Sequence, residues 1–120
     1  MHCGHYLDFI VQIDSNRLLS KANSKLLMIN SENYNITKSK EVEIRYGARA
    51  ATIVEGDKVF ISFKNRVVAI YDTNNLKHLS TKSTGHDVVR KFVPLITNDE
   101  TRLMIMTVGI ELKIMNTATY

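Results

Sequence analysis

The chain has 120 residues, 44% of them hydrophobic and 23% charged, with a net charge of +4. Such a composition belongs to one small folded domain and excludes a disordered tail. The basic balance is compatible with a ribonucleoprotein setting, but the 16 Lys and Arg residues are scattered from Arg17 to Lys113 without a block.

At the N-terminus, His2, Cys3 and His5 crowd together and raise a metal site. A closed structural zinc set needs four ligands, and no second cluster follows, so no metal or other cofactor is expected. Cys3 is the only cysteine, which rules out an internal disulfide and agrees with a reducing compartment. Asp8 and Asp14 flank the short apolar stretch Phe9–Ile13, which is not the pattern of a signal peptide. No apolar run reaches membrane-spanning length, so the expectation is an intracellular soluble protein. In that setting Asn35-Ile36-Thr37 matches a glycosylation acceptor by coincidence.

Arg17–Asn30, RLLSKANSKLLMIN, is the first pair of apolar runs broken by a polar tip. A strand is expected near Ala50–Glu55. Val59–Phe63 and Val67–Tyr71 then form a hairpin around Lys64, Asn65 and Arg66, rich in valine, isoleucine and aromatic residues. Neither run alternates cleanly. Phe60 and Val68 fall on the opposite pleat face from their apolar neighbours, so the hairpin must be covered on both sides. A fourth strand is expected near Leu76–Thr81. Val88–Leu95 suggests a turn of helix, kept short by Pro94 and the β-branched residues. Arg102–Met115, RLMIMTVGIELKIM, closes the series with a third hairpin.

The three hairpins share one layout. Leu18 and Ile29 fall on Val59 and Ile70 at an offset of 41, and Leu103 and Ile114 fall on the same residues at 44. Self-similarity at 40–45 residues is the period of four-stranded propeller blades. Gly4-His5, Gly47-Ala48 and Gly85-His86 precede the hairpins; Asn30-Ser31, Tyr71-Asp72 and Met115-Asn116 end them. These marks resemble the WD repeat, in which a GH dipeptide opens the unit and WD closes its third strand. The GH mark is intact in two units, Tyr71-Asp72 comes nearest to WD, and the chain has no Trp.

The resemblance implies an all-β chain of about three antiparallel four-stranded blades of an incomplete WD-type β-propeller. They would run 1–43, 44–83 and 84–120, the last without its final strand. Gly4, His5, Gly47, Tyr71, Asp72, Gly85 and His86 would be the structural marks, with His86 bonding inward to hold strand register. Propellers close with four to eight blades, so further blades or a partner chain would be needed. The competing fold is an open sheet or sandwich of short strands.

No chemistry stands out. Ser20, Ser62 and Ser80 fall within predicted strands without glycine-rich elbows, and the five glycines form no phosphate loop. The expectation is a non-catalytic scaffold for protein–protein assembly, as WD-repeat propellers are. Val59–Phe63, Asn65-Arg66-Val67, Ile70-Tyr71 and His78-Leu79 are similar to a middle blade of WD-repeat proteins of the small-subunit processome, the particle that matures pre-18S rRNA. That resemblance implies a nuclear or nucleolar complex, partner proteins, ribonucleoprotein RNA as a further candidate partner, and no membrane. The alternative is a cytoplasmic signalling or membrane-traffic propeller that binds peptides; a small metal-dependent or enzymatic domain is the third reading. Lys25, Lys64 and Arg66, at or beside hairpin tips, are candidate phosphate contacts or simply solubilising residues.

Overall fold

Tight turns divide this chain into short strands. The tip Glu55-Gly56 has consecutive positive φ values of 58° and 76°, and Arg66 (65°) closes the three-residue tip of the next hairpin in the left-handed region. The computed structural model describes residues 7–44, 46–85, 87–96, 98, 102–108 and 110–118.

Three antiparallel sheets follow one another along the chain, and no helix occurs among the described residues. The first contains β1 (Leu7–Gln12), β2 (Arg17–Ala22), β3 (Lys25–Asn30) and β4 (Ile36–Glu41). The second contains β5 (Ala48–Val54), β6 (Lys58–Phe63), β7 (Val67–Asp72) and β8 (His78–Ser83). The third has three strands, β9 (Val89–Ile96), β10 (Arg102–Val108) and β11 (Glu111–Asn116). In each sheet the strands lie in chain order, every one antiparallel to the next. The first strands of the sheets adjoin one another, β1 beside β5 and β5 beside β9.

The middle hairpin is covered on both faces, as its unbroken apolar runs require. Val59, Ile61, Phe63, Ala69 and Tyr71 pack with Leu19, Leu26 and Met28 of the first sheet. Phe60, Val68 and Ile70 pack with Val89, Phe92, Met104 and Met106 of the third. Phe60 meets Phe92 edge-on, with ring centroids 6.4 Å apart. A fully buried side chain of this kind stabilises by about 1.5–3 kcal/mol, so the two layers hold the middle sheet from both sides.

Several expectations need correction. Val88–Leu95 contains no helical turn; Val89–Ile96 is a strand. Pro94 pairs with Met104 on a strand that has a single neighbour in its sheet, where a missing N–H is tolerated. The strand expected near Ala50–Glu55 starts at Ala48, and Glu55 belongs to the turn. The strand expected near Leu76–Thr81 runs His78–Ser83, because Leu76 adopts φ 60° and closes a turn onto Asp72.

The repeat frame also shifts by one residue in places. The middle hairpin turns between Phe63 and Val67, the first between Ala22 and Lys25, and the third between Val108 and Glu111. Tips of three, two and two residues place β2 41 residues before β6 but β3 42 before β7. They place β10 45 residues beyond β6 and β11 44 beyond β7. Leu103 therefore does not match Val59. Met104 does, and Leu103 points to the other face. Likewise Met28, not Ile29, is the counterpart of Ile70.

Candidate interaction surface

The loop that leaves β3 is built again after β7. Asn30 Oδ1 accepts from the amides of Glu32 (2.8 Å) and Asn33 (3.3 Å), and Asp72 Oδ1 accepts from Asn74 (2.7 Å) and Asn75 (3.1 Å). Tyr34 N donates to Asn30 O and Leu76 N to Asp72 O, each at 2.8 Å. The following hydroxyls reach back to the preceding turn, Ser31 to Ser15 O (2.9 Å) and Thr73 to Gly56 O (3.0 Å). Asn33 and Asn75 each cap the amide two residues on. In the third sheet Asn116 Oδ1 accepts from Ala118 N at 2.8 Å. A short side-chain oxygen bonding the backbone two residues on is the mechanism that favours Asp and Asn at turns.

Asp72 is therefore a turn cap, and Asn30 and Asn116 do the same work. Tyr71 lies in the core between the first two sheets, edge-on to His78 with centroids 5.2 Å apart. Burial, and then Glu43, raise its pKa above 10.0. The glycine marks do not occupy equivalent places. Gly47 directly precedes β5 and its carbonyl accepts from Lys64 N at 2.9 Å. Gly85 lies four residues before β9 with φ 90°. Gly4, His5 and His86 lie outside the described residues, as do His2 and Cys3. Of the hairpin cations, Lys25, Lys64 and Arg66 are exposed, and Lys64 faces the junction of the first two sheets.

At that junction lies an open cleft of about 880 Å³, lined by Lys21, Asn23, Glu41, Glu43, Tyr46 and Lys64 among others. Its floor is a charge pair. Lys21, 3% exposed, donates to Asp8 Oδ2 at 2.7 Å and to Asn23 O at 2.6 Å. The same Asp8 oxygen accepts from Ala48 N at 3.0 Å, tying the first sheet to the second. Burial pushes the Asp8 carboxyl up, but the Ala48 amide, Lys21 and Lys64 outweigh it and hold the pKa below 3.8.

Ser62 occupies the place of Lys21 in the next sheet and donates to Val89 O at 2.7 Å, tying the second sheet to the third. It is wholly buried and engaged in packing. Ser20 is buried too and donates to Phe9 O. Among the described residues no three His, Cys, Asp or Glu side chains gather as metal ligands, and no helix is long and apolar enough to cross a membrane.

The most distinctive surfaces are the two outer sheet faces. On the third sheet Val93, Leu95, Leu112 (70% exposed) and Ile114 (66%) form an apolar field around the half-buried Leu103 and Ile105. On the first, Ile10 and Ile36 stand exposed beside half-buried Leu18, Leu27 and Ile29. Contiguous apolar patches of this kind mark interaction sites. Neither a protein-family model nor a curated protein matches this chain.

Proposed function

We propose that the chain is a non-catalytic scaffold, consecutive blades of a WD-type β-propeller, that mediates protein–protein assembly. The observation that carries this reading is the serial packing of the sheets. Their first strands adjoin in order, and each sheet buries its neighbour's face through repeated positions. Propeller blades pack in this way, with the first strands innermost. The turn caps at Asn30, Asp72 and Asn116 support a repeat of one blade unit.

The proposed setting is a nucleolar complex of small-subunit ribosome biogenesis. Its support is the similarity of Val59–Tyr71 and His78-Leu79 to processome propellers, together with the basic charge balance. The scaffold gathers partner proteins, and RNA is a subsidiary contact at Lys25, Lys64 and Arg66. The junction cleft favours one alternative, a peptide-binding propeller of cytoplasmic signalling or membrane traffic, since its size suits a short segment.

Gradient sedimentation of the tagged chain in nuclear and cytoplasmic extracts, with and without RNase, tests the reading. The expected result is comigration with large nuclear particles, with partner proteins still bound to the chain after RNase. Release by RNase would move the contact to the hairpin cations. Binding confined to cytoplasmic proteins would favour the peptide-binding alternative.

A further inference from the structure

The outer faces of the first and third sheets carry the positions that join the sheets internally. In both internal junctions, one face of a sheet meets the opposite face of the next. Phe60, Ser62, Val68 and Ile70 face the third sheet, and their counterparts Leu19, Lys21, Leu26 and Met28 face the second. By the observed registers, the corresponding side chains of the third sheet are Ile105, Thr107, Leu112 and Ile114, which meet no further sheet among the described residues. The receiving face of the second sheet is Val59, Ile61, Ala69 and Tyr71. Its equivalents on the first sheet are Leu18, Ser20, Leu27 and Ile29, flanked by Ile10.

We infer that the third sheet of one copy packs on the first sheet of a second copy, repeating the internal junction, so that two chains close a six-sheet ring. Closure by six lies within the four to eight blades that propellers use. The inference rests on the propeller reading. The occupant is a second copy because this chain itself holds both halves of the junction. Ile105 and Ile10 of the second copy take the places of Phe60 and Phe92, which meet edge-on within one chain. Thr107 takes the place of Ser62, retaining a hydroxyl where that residue ties two sheets together. Such a contact is heterologous, joining unlike faces, and it closes because two copies complete the turn.

The test is the mass of the full chain by analytical ultracentrifugation across micromolar to submillimolar concentrations. It is repeated for Leu112→Glu on the third sheet and Ile10→Glu on the first. Both side chains are mostly exposed, at 70% and 54%, so neither change opens the internal core. The expected result is a dimer for the parent chain and a monomer for either variant alone. An equimolar mixture of the variants should recover a two-chain species, because one of the two junctions then keeps both faces intact.

A variant that still dimerises alone would overturn the inference, as would a mixture that stays monomeric. A monomeric parent would also overturn it. Hydrogen exchange then separates the two levels: protected Val59–Phe63 amides would leave the stacked sheets standing, whereas rapid exchange there would remove the propeller reading as well.

Discussion

The hydroxyl of Ser62, the penultimate residue of β6, donates across the sheet boundary to the carbonyl of Val89, the first residue of β9, at 2.7 Å. Both residues are buried. Ser62→Ala removes the donor and leaves that carbonyl without this partner. A cost of about 1–3 kcal/mol is expected, seen as a lower denaturant midpoint at unchanged slope. Ser62→Thr restores a hydroxyl but adds a methyl group to a packed junction, so it should recover part of the loss.

Asp72 and Asn30 cap equivalent turns through one oxygen each, so the charge of Asp72 is incidental to its role. Asp72→Asn should leave stability within about 0.5 kcal/mol of the parent, as for surface changes that preserve a partner. Asp72→Ala should cost about 1 kcal/mol, since the amides of Asn74 and Asn75 lose their acceptor. Thermal unfolding of the two variants side by side separates these outcomes.

The contrast between Asp72 and Ser62 shows what the sequence makes legible. A side-chain oxygen beside a turn acts on nearby backbone, so Asp72 announces itself through its neighbours. The partner of Ser62 is 27 residues away and on another sheet, and no local pattern points to it. Strand existence was readable for the related reason that Val59–Phe63 and Val67–Tyr71 are short, β-branched and apolar on both faces. That two-sided apolar character hides register, however. With no polar parity to set the face, Leu103 and Met104 were interchangeable until the pairing of Val108 with Glu111 decided between them. The repeated oxygen–hydroxyl pair in Asn30-Ser31, Asp72-Thr73 and Asn116-Thr117 carries the correct frame. It was readable in the sequence once the Asn or Asp was aligned rather than the residue beside it.

The Asp8–Lys21 pair ties acid stability to the Asp8 carboxylate. Its folded pKa is depressed, with the opposing burial outweighed by the Ala48 amide, Lys21 and Lys64. Its contribution is thus present above the ordinary value of 3.8 and lost as pH falls through the lower folded value. Asp8→Asn should flatten the acid limb of stability between pH 5 and the folded pKa. It should also cost about 1–3 kcal/mol at neutral pH, because Lys21, 3% exposed, loses its carboxylate partner. Urea unfolding across that pH range reads both effects. Tyr71 acts at the other end: its raised pKa means a stability present below pH 10.0 and lost as pH rises through the folded value.

Gly47 and Gly85 look alike in the sequence, each in a dipeptide that precedes a hairpin, but their backbones make different demands. Gly85 has φ 90°, a region that L side chains rarely adopt, so Gly85→Ala should cost about 1 kcal/mol or more despite the room around it. Gly47 carries no such angle, and the nearest atoms to a β-carbon there belong to the flexible Lys64 side chain, at 3.5 Å or more. Gly47→Ala should therefore be neutral or stabilising by up to about 1 kcal/mol, through the reduced freedom of the unfolded chain. Chemical denaturation of both variants checks the pair. Equal losses at the two sites would mean that the glycines share one structural duty after all. Unequal losses in the order given would assign the requirement to backbone angle at Gly85 alone.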